Sequence, residues 1–193
     1  YFGTGIREDK QEAVKWYRLA AEQKNSEARW RLGDCYFWGE GIREDKREAV
    51  KWYRLAAEQK NSEARWRLGS CYYFGTGIRE DKREAVKWYR LAAEQKNSEA
   101  RWRLGSCYYF GTGIREDKQE AVKWYRLAAE QGNAEAQWRL GDCYFWGEGI
   151  REDKQEAVKW YRLAAEQGNA KALKELGDCY FWGEGIREDK QEA

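Results

Sequence analysis

The stretch Trp16-Tyr17-Arg18-Leu19-Ala20-Ala21-Glu22-Gln23 occurs five times, starting at Trp16, Trp52, Trp88, Trp124 and Trp160. Each copy begins 36 residues after the one before it, and the cysteines keep the same step at Cys35, Cys71, Cys107, Cys143 and Cys179. A fixed period of about 20 to 50 residues indicates a stacked repeat architecture. Since one repeat resembles the next, we expect an extended multivalent surface and no single catalytic centre. The chain is therefore predicted not to be an enzyme.

The composition excludes several classes of protein. Of the 193 residues, 36 are Lys or Arg and 34 are Asp or Glu, so the net charge is only +2. This balance makes a nucleic-acid or membrane partner unexpected. Aromatic residues make up 16% of the chain, which predicts a folded protein because disordered chains are poor in them. No apolar run approaches the roughly 20 residues of a membrane span, and no signal peptide is visible.

One unit, residues 25–60, is predicted to form two helices. Asn25 is a typical N-cap for a first helix, helix A, which runs from residue 26 to about residue 38. Gly39 and Gly41 end it, because glycine readily takes left-handed conformations. Asp45 and Glu48 resemble a capping box at the start of the second helix, helix B. With about 13 residues each, such helices cannot bury a core alone, so neighbouring units must stack.

The same pattern along the chain predicts an all-α protein with helices near residues 9–24, 26–39, 45–60, 62–75, 81–96, 98–111, 117–132, 134–147, 153–167 and 170–183. The whole chain, residues 1–193, is then a single repeat domain. It comprises a half repeat at 1–24, full repeats at 25–60, 61–96, 97–132 and 133–168, and a partial repeat at 169–193.

Helix A has two contrasting faces at 100° per residue. The face expected to pack against neighbours carries Ala28, Leu32, Cys35, Tyr36 and Gly39, with Gly33 at its edge allowing close approach of the backbone. The opposite face carries Glu27, Trp30, Asp34, Phe37 and Trp38. Aromatic residues on both faces are unusual for a simple amphipathic helix, and this predicts that the second face has a function of its own.

The repeated residues resemble a known family. Each full unit carries the pattern Ala28, Leu32-Gly33, Tyr36, Gly39-x-Gly41-Ile42, Asp45, Ala49, Trp52-Tyr53 and Ala56-Ala57-Glu58-Gln59. This pattern resembles the SEL1-like repeat, a close relative of the tetratricopeptide repeat. The resemblance implies an α/α right-handed superhelical solenoid in which helix A lines the concave side. It also implies a scaffold for protein–protein interaction, in adaptor and host-interaction roles.

The chain departs from this family pattern at one position. The family usually has glycine after Glu-Gln, as at Gly132 and Gly168, whereas Lys24, Lys60 and Lys96 stand there in three copies. A lysine in a left-handed conformation costs up to about 1 kcal/mol. The alternative is that helix B runs slightly longer in these copies.

Four positions of helix A and its turn change together between copies: Asp or Ser, Phe or Tyr, Trp or Phe, and Glu or Thr. Three of them lie on the face that contacts ligands in tetratricopeptide repeats. We therefore expect a partner to contact Trp30, Asp34, Phe37, Trp38, Trp66, Ser70, Tyr73, Phe74, Trp102, Ser106, Tyr109, Phe110, Trp138, Asp142, Phe145 and Trp146. The alternative is neutral variation at exposed positions. In the last unit Lys174 replaces the tryptophan, so the aromatic stripe is expected to stop there.

The residue types argue against a catalytic or metal site. The chain has no His, which excludes the Ser-His, Cys-His and His-metal arrangements. Neighbouring repeats should lie about 10 Å apart, too far for disulfides, which need Cα atoms within about 7 Å. Each cysteine is therefore expected to be a reduced core residue, with Cys71, Cys107 and Cys143 buried, and no cofactor is expected. Unpaired thiols favour a reducing compartment such as the cytoplasm.

The sequence favours a scaffold that binds a peptide or protein partner on its concave aromatic face. Trp30, Phe37, Trp38 and their equivalents offer rigid anchors, and Arg31 adds a donor for carboxylates. On this hypothesis Trp102→Ala costs little stability whereas Trp88→Ala, on helix B, costs much. Two alternatives stay open: single-stranded nucleic-acid binding by base stacking, which the near-neutral charge disfavours, and a filament built by end-to-end stacking.

Overall fold

The computed structural model describes residues 9–186, and within this range the chain forms ten α-helices and no β-strand. In chain order they are α1 Lys10–Glu22, α2 Ser26–Trp38, α3 Lys46–Glu58, α4 Ser62–Phe74, α5 Lys82–Glu94, α6 Ser98–Phe110, α7 Lys118–Ala129, α8 Ala134–Trp146, α9 Lys154–Glu166 and α10 Ala170–Trp182. The all-α prediction and its ten helices are confirmed. Parts of the predicted repeats at 1–8 and 187–193 lie outside the described residues.

The even-numbered helices are the A helices of the sequence analysis, and the odd-numbered helices are the B helices. The chain divides into two compact units, the first ending at Ala92 and the second beginning at Ala93. In the first unit α2 packs against both α1 and α3, and α3 packs against α4. In the second unit each helix from α6 to α10 packs against the next one along the chain.

The predicted caps are present at the helix ends. The side chain of Asn25 accepts a hydrogen bond from the backbone N–H of Ala28 at 2.9 Å, and Asp45 accepts from the N–H groups of Arg47 and Glu48. Each bond satisfies a donor that has no partner within the first turn of its helix. Gly39 ends α2 with a left-handed φ of 71°. The local signals therefore mark the starts of these helices and the end of the A helix.

The A helices α2, α4, α6 and α8 each meet the B helix of their own repeat through a glycine. A Cβ atom on Gly33 would lie 2.6 Å from Cδ1 of Tyr53, and the same overlap recurs between Gly141 and Tyr161. Tyr53 is fully buried. The close approach expected at Gly33 is therefore confirmed, and the missing side chain is what admits the tyrosine ring.

An arginine that the sequence analysis left aside connects three helices. Nε of Arg29, on α2, donates to the carbonyl of Ala21 on α1 at 3.1 Å. Its Nη1 donates to Oε1 of Gln59, just beyond α3, at 2.9 Å. In the second unit Arg101 makes the same bond to the carbonyl of Ala93. In the next repeat Gln137 takes this position and donates to the carbonyl of Ala129 at 3.1 Å. These bonds tie the last turn of one B helix to the following repeat.

The cysteines lie in the core and are not paired with one another. Cys71, Cys107 and Cys143 are buried, as expected, and Cys35 is half-buried. Burial is the main cause that raises the pKa of the Cys71 and Cys143 thiols to about 12. A thiol with so high a pKa is mostly protonated at neutral pH, so these groups are poor nucleophiles.

The three lysines at the glycine position adopt the left-handed conformation. Lys24, Lys60 and Lys96 have φ values of 65°, 65° and 67°, and the glycines at the same position have 86° at Gly132 and 80° at Gly168. Helix α3 ends at Glu58, two residues before Lys60. The sequence left open a left-handed lysine or a longer B helix, and the left-handed lysine is the one observed.

This strain predicts the effect of exchanging the two residue types. Lys96→Gly should raise the free energy of unfolding by about 1 kcal/mol, because glycine adopts the left-handed conformation without the steric strain that the lysine Cβ atom causes. Gly132→Lys should lower it by a similar amount, since no atom lies within 4 Å of a Cβ placed there and only backbone strain changes. Urea unfolding of both variants measures the two changes, and effects of equal sign would contradict the explanation.

Candidate functional site

The last residue of each A helix presents an exposed aromatic ring. Trp38, Phe74 and Phe110 are each 57% exposed and Trp146 is 68% exposed. Each ring lies edge-on to the aromatic residue before it, with centroids 4.8 to 4.9 Å apart. The glycine that follows ends the helix, so these rings lie beside the turn to the next B helix. We call these four exposed rings the aromatic surface.

The preceding rings link the aromatic surface to the core. Phe37 is half-buried, and its centroid is 6.2 Å from that of Tyr53. Tyr73, Tyr109 and Phe145 have the same position, each 6.3 to 6.4 Å from the buried tyrosine of its own repeat. Each exposed ring is therefore supported by a half-buried ring, which is in turn packed on a buried one.

Of the four tryptophans in the first half of the A helices, two are buried in the core and two are half-buried, which disfavours the expectation that they line a groove. Trp30 is only 7% exposed and Trp138 only 8%. Trp30 packs with residues of α3 and α4, among them Leu68. Trp102 is half-buried against the core formed by α7 and α8, and Trp66 is also half-buried. Since Trp88 likewise packs half-buried on a core, the contrast expected between Trp102 and Trp88 is not supported.

The faces of these tryptophans are covered by cations. The guanidinium carbons of Arg31, Arg67, Arg103 and Arg139 lie 4.1, 4.4, 4.0 and 4.2 Å from the centroids of the tryptophans that precede them. In the second unit Nζ of Lys171 also lies 4.3 Å from the centroid of Trp138. These are cation–π distances. The rings therefore have charged partners within the protein on faces that a ligand would otherwise stack upon.

The residue at the Asp or Ser position forms a hydrogen bond with a buried tyrosine of its own repeat. The buried tyrosine of each B helix donates a hydrogen bond to it, at 2.5 Å for Tyr53 to Asp34 and 2.8 Å for Tyr161 to Asp142. Where the residue is serine, the bond is 3.2 Å, from Tyr89 to Ser70 and from Tyr125 to Ser106. The residues at this position were expected to face a ligand. They are instead half-buried and hydrogen-bonded to a core hydroxyl: Asp34, Ser70, Ser106 and Asp142.

Burial changes the acidity of the two aspartates. Desolvation raises the pKa of Asp34 above its usual value, although the Tyr53 hydrogen bond and the Arg67 charge act in the opposite direction. Nη2 of Arg67 lies 3.2 Å from Oδ2 of Asp34. Desolvation likewise raises the pKa of Asp142, opposed by Tyr161 and Arg139. Repeats with aspartate at this position therefore hold a half-buried carboxylate, whereas repeats with serine have a neutral hydroxyl there.

Other kinds of site find no support in the described part of the chain. Among residues 9–186, no group of three or more His, Cys, Asp or Glu side chains is placed to hold a metal ion. None of the helices described is both long and apolar enough to span a membrane. What each of the two units does present, among the described residues, is exposed aromatic rings at the ends of its A helices.

Paired A and B helices that recur every 36 residues define an all-α repeat solenoid. The family model for the Sel1 repeat matches residues 1–25, 26–61, 62–97, 98–133, 134–169 and 170–193. The chain belongs to the Sel1 repeat family. Proteins of this family are generally scaffolds for protein–protein interaction and generally are not enzymes. No curated protein is significantly similar to the chain.

Solved structures support this assignment. A protective antigen from uropathogenic Escherichia coli strains is 40% identical, with a TM-score of 0.86 over 90% of this chain. The chain spans only 37% of that antigen's length. A Sel1 repeat protein from Oxalobacter formigenes is 39% identical, with a TM-score of 0.88 over 98% of this chain and 76% of its own. Cysteine rich protein B of Helicobacter pylori, 21% identical with a TM-score of 0.55 over 68% of this chain and 95% of its own, shares the fold alone.

The different burial of the two kinds of tryptophan predicts different costs of removing them. Trp138→Ala should lower the free energy of unfolding by about 3–5 kcal/mol, because a large buried ring leaves a cavity. Trp146→Ala should lower it by less than about 1 kcal/mol, because most of its ring is in water. Urea unfolding of the two variants tests this, and equal costs would refute the assignment of Trp138 to the core.

The buried aspartate predicts a dependence on pH. Because the pKa of Asp142 is higher in the folded protein than in the unfolded chain, protonation favours folding. That stability is fully present below the usual pKa of 3.8 and is lost as pH rises through the folded pKa. Asp142→Ser, which copies Ser106, removes this dependence. Wild-type stability relative to the variant should therefore increase as pH falls from 7 to 4. Urea unfolding at several pH values would contradict this if the difference stayed constant.

Proposed function

We propose that the protein is a scaffold that binds a peptide or protein partner through the aromatic surface of its A helices. In the first unit the partner contacts Trp38 and Phe74, and in the second unit it contacts Phe110 and Trp146. The half-buried rings at Phe37, Tyr73, Tyr109 and Phe145 hold these contacts in place. The buried tryptophans and the Asp or Ser position, which the sequence suggested as contacts, act from beneath by fixing the A helices.

The observation that carries this proposal is the exposure of rigidly supported aromatic rings at one repeat position. Large contiguous exposed apolar patches usually mark interaction sites. Each of these four rings is more than half exposed and lies against a second aromatic ring. Tryptophan is enriched among the residues that dominate binding energy, and a ring held by a second ring loses little conformational entropy on binding. Aromatic character is kept at this position in all six copies in the sequence, although Trp and Phe exchange.

Base stacking of a single-stranded nucleic acid fits the same face less well. That function needs open ring faces along a positively charged groove. The four tryptophans in the first half of the A helices are instead covered by arginines at about 4 Å, as at Arg31 on Trp30, and two of the four are almost fully buried. The net charge of +2 adds no electrostatic attraction over the whole chain. A protein partner is therefore the better supported class.

Selection of peptides tests the proposal directly. A phage-displayed library of random peptides is selected on the purified protein, and the affinity of a recovered peptide is measured by fluorescence anisotropy. Trp38→Ala or Trp146→Ala should weaken binding of a peptide that uses that ring by about 30-fold, which corresponds to about 2 kcal/mol for an anchor. Neither change should destabilise the fold appreciably.

Trp16→Ala is the matched control. Trp16 is 63% exposed but lies on a B helix, so its loss removes a similar apolar area away from the aromatic surface. Its removal should leave peptide affinity unchanged. Peptides whose binding depends on Trp16, and not on Trp38, Phe74, Phe110 or Trp146, would place the binding face on the B helices and refute the proposal.

A further inference from the structure

The turn that follows the A helix makes the same backbone contact at Gly41, Gly77, Gly149 and Gly185. The second glycine of the turn lies against the first residue of the preceding B helix. A methyl group on Gly77 would overlap the carbonyl of Lys46, and one on Gly149 would overlap that of Lys118. The residue before this glycine is Thr76 in the first case and Glu148 in the second. Thr76 therefore lies at the position where other repeats have a glutamate, such as Glu148.

Where the residue is glutamate, it binds the lysine that begins the preceding B helix. Oε1 of Glu148 lies 2.7 Å from Nζ of Lys118, and the same ion pairs are 2.8 Å for Glu184 with Lys154 and 3.1 Å for Glu40 with Lys10. Glu148 also accepts a hydrogen bond from the hydroxyl of Tyr109. Three repeats of this chain thus show that a carboxylate fits beside this lysine.

Where the residue is Thr76, the lysine turns back toward its own repeat. Nζ of Lys46 donates to the carbonyl of Phe37 and pairs with Glu44 at 3.3 Å. Its distance from the Phe37 centroid is 4.1 Å, compared with 5.0 Å for Lys118 and 4.9 Å for Lys154 from the equivalent rings. The ammonium group therefore lies about 1 Å closer to the aromatic ring when no glutamate is supplied by the next repeat.

We propose that Lys46 and Thr76 form a binding site for an aspartate or glutamate side chain of a protein partner. This inference rests on the proposed function, because the site adjoins the aromatic surface: Nζ of Lys46 is 5.5 Å from the centroid of Trp38. The partner's carboxylate takes the place that Glu148 fills in its own repeat. An apolar residue next to it in the partner's sequence packs on Trp38.

The electrostatics of Lys46 favour such a ligand. Its side chain is only 28% exposed, so a carboxylate there is screened less than at the open surface. The competing Glu44 side chain is 57% exposed, and an ion pair of that kind contributes little. An ammonium group has three donors, so it can keep the Phe37 carbonyl while it binds the partner, and the Thr76 hydroxyl is a further donor.

The chain supplies the variants that test this site. Thr76→Glu brings in an internal carboxylate for Lys46, as in three other repeats, and should exclude the partner's carboxylate without disturbing the fold. Glu148→Thr does the reverse in the second unit, where it removes the internal partner of Lys118 and Tyr109. Circular dichroism and urea unfolding establish that both variants are folded.

The probe is the same phage-displayed library of random peptides, selected separately on the wild type, Thr76→Glu and Glu148→Thr. We expect the wild type to enrich Asp or Glu beside an apolar residue, Thr76→Glu to lose peptides of this type, and Glu148→Thr to gain them. For a synthetic peptide of this type, replacing its acidic residue by the amide should weaken wild-type binding about tenfold and binding to Thr76→Glu hardly at all.

The outcomes separate the two proposals. If selected peptides depend on Trp38 but show no acidic preference, or keep that preference on Thr76→Glu, the Lys46 site is refuted while the proposed function stands. If no peptide depends on any ring of the aromatic surface, the proposed function fails as well. If acetate or phosphate alone displaces the peptide at the concentration at which the peptide binds, the site is one for small anions and the inference is overturned.

Discussion

The close contact between a glycine of the A helix and a tyrosine ring of the B helix determines much of each repeat. Because Gly33 has no side chain, Tyr53 lies directly against α2 and is fully buried. Its hydroxyl then reaches Asp34, the next residue of the A helix, at 2.5 Å. Phe37, one turn later, packs on the same ring and supports Trp38. The exposed ring is therefore positioned from the core outward.

Local sequence was sufficient to predict the helices because their end signals are local. Asn25 and Asp45 each cap the helix that follows, and both interactions lie within three residues of the cap. The ends of the B helices were predicted too late, by three residues at Ala129. There the last turns tighten, and the N–H of Gln131 bonds to the carbonyl of Ala128 at 3.1 Å. Such a turn leaves no mark in the pattern of apolar residues.

The site was predicted only in part because a helical wheel does not show how many neighbours a helix has. Trp30 and Trp38 lie on the same face of α2 by periodicity, yet one is 7% and the other 57% exposed. Trp30, in the first half of the helix, is covered by α3 and α4 of the stack, whereas Trp38 lies at the end of α2, where the chain turns. The distinction depends on contacts between repeats, and a single repeat does not contain them.

The Asp or Ser position and the Glu or Thr position lie in different parts of a repeat, but both exchanges change the charge of the repeat. Asp or Ser bonds to a core tyrosine within the repeat, whereas Glu or Thr faces a lysine of the preceding repeat. Replacing Asp and Glu by Ser and Thr removes two negative charges from the A-helix side of a repeat. The aromatic rings stay while the charge beside them changes. Repeats that carry the same exposed rings therefore differ in electrostatics, and on the proposed function such differences favour one partner sequence over another.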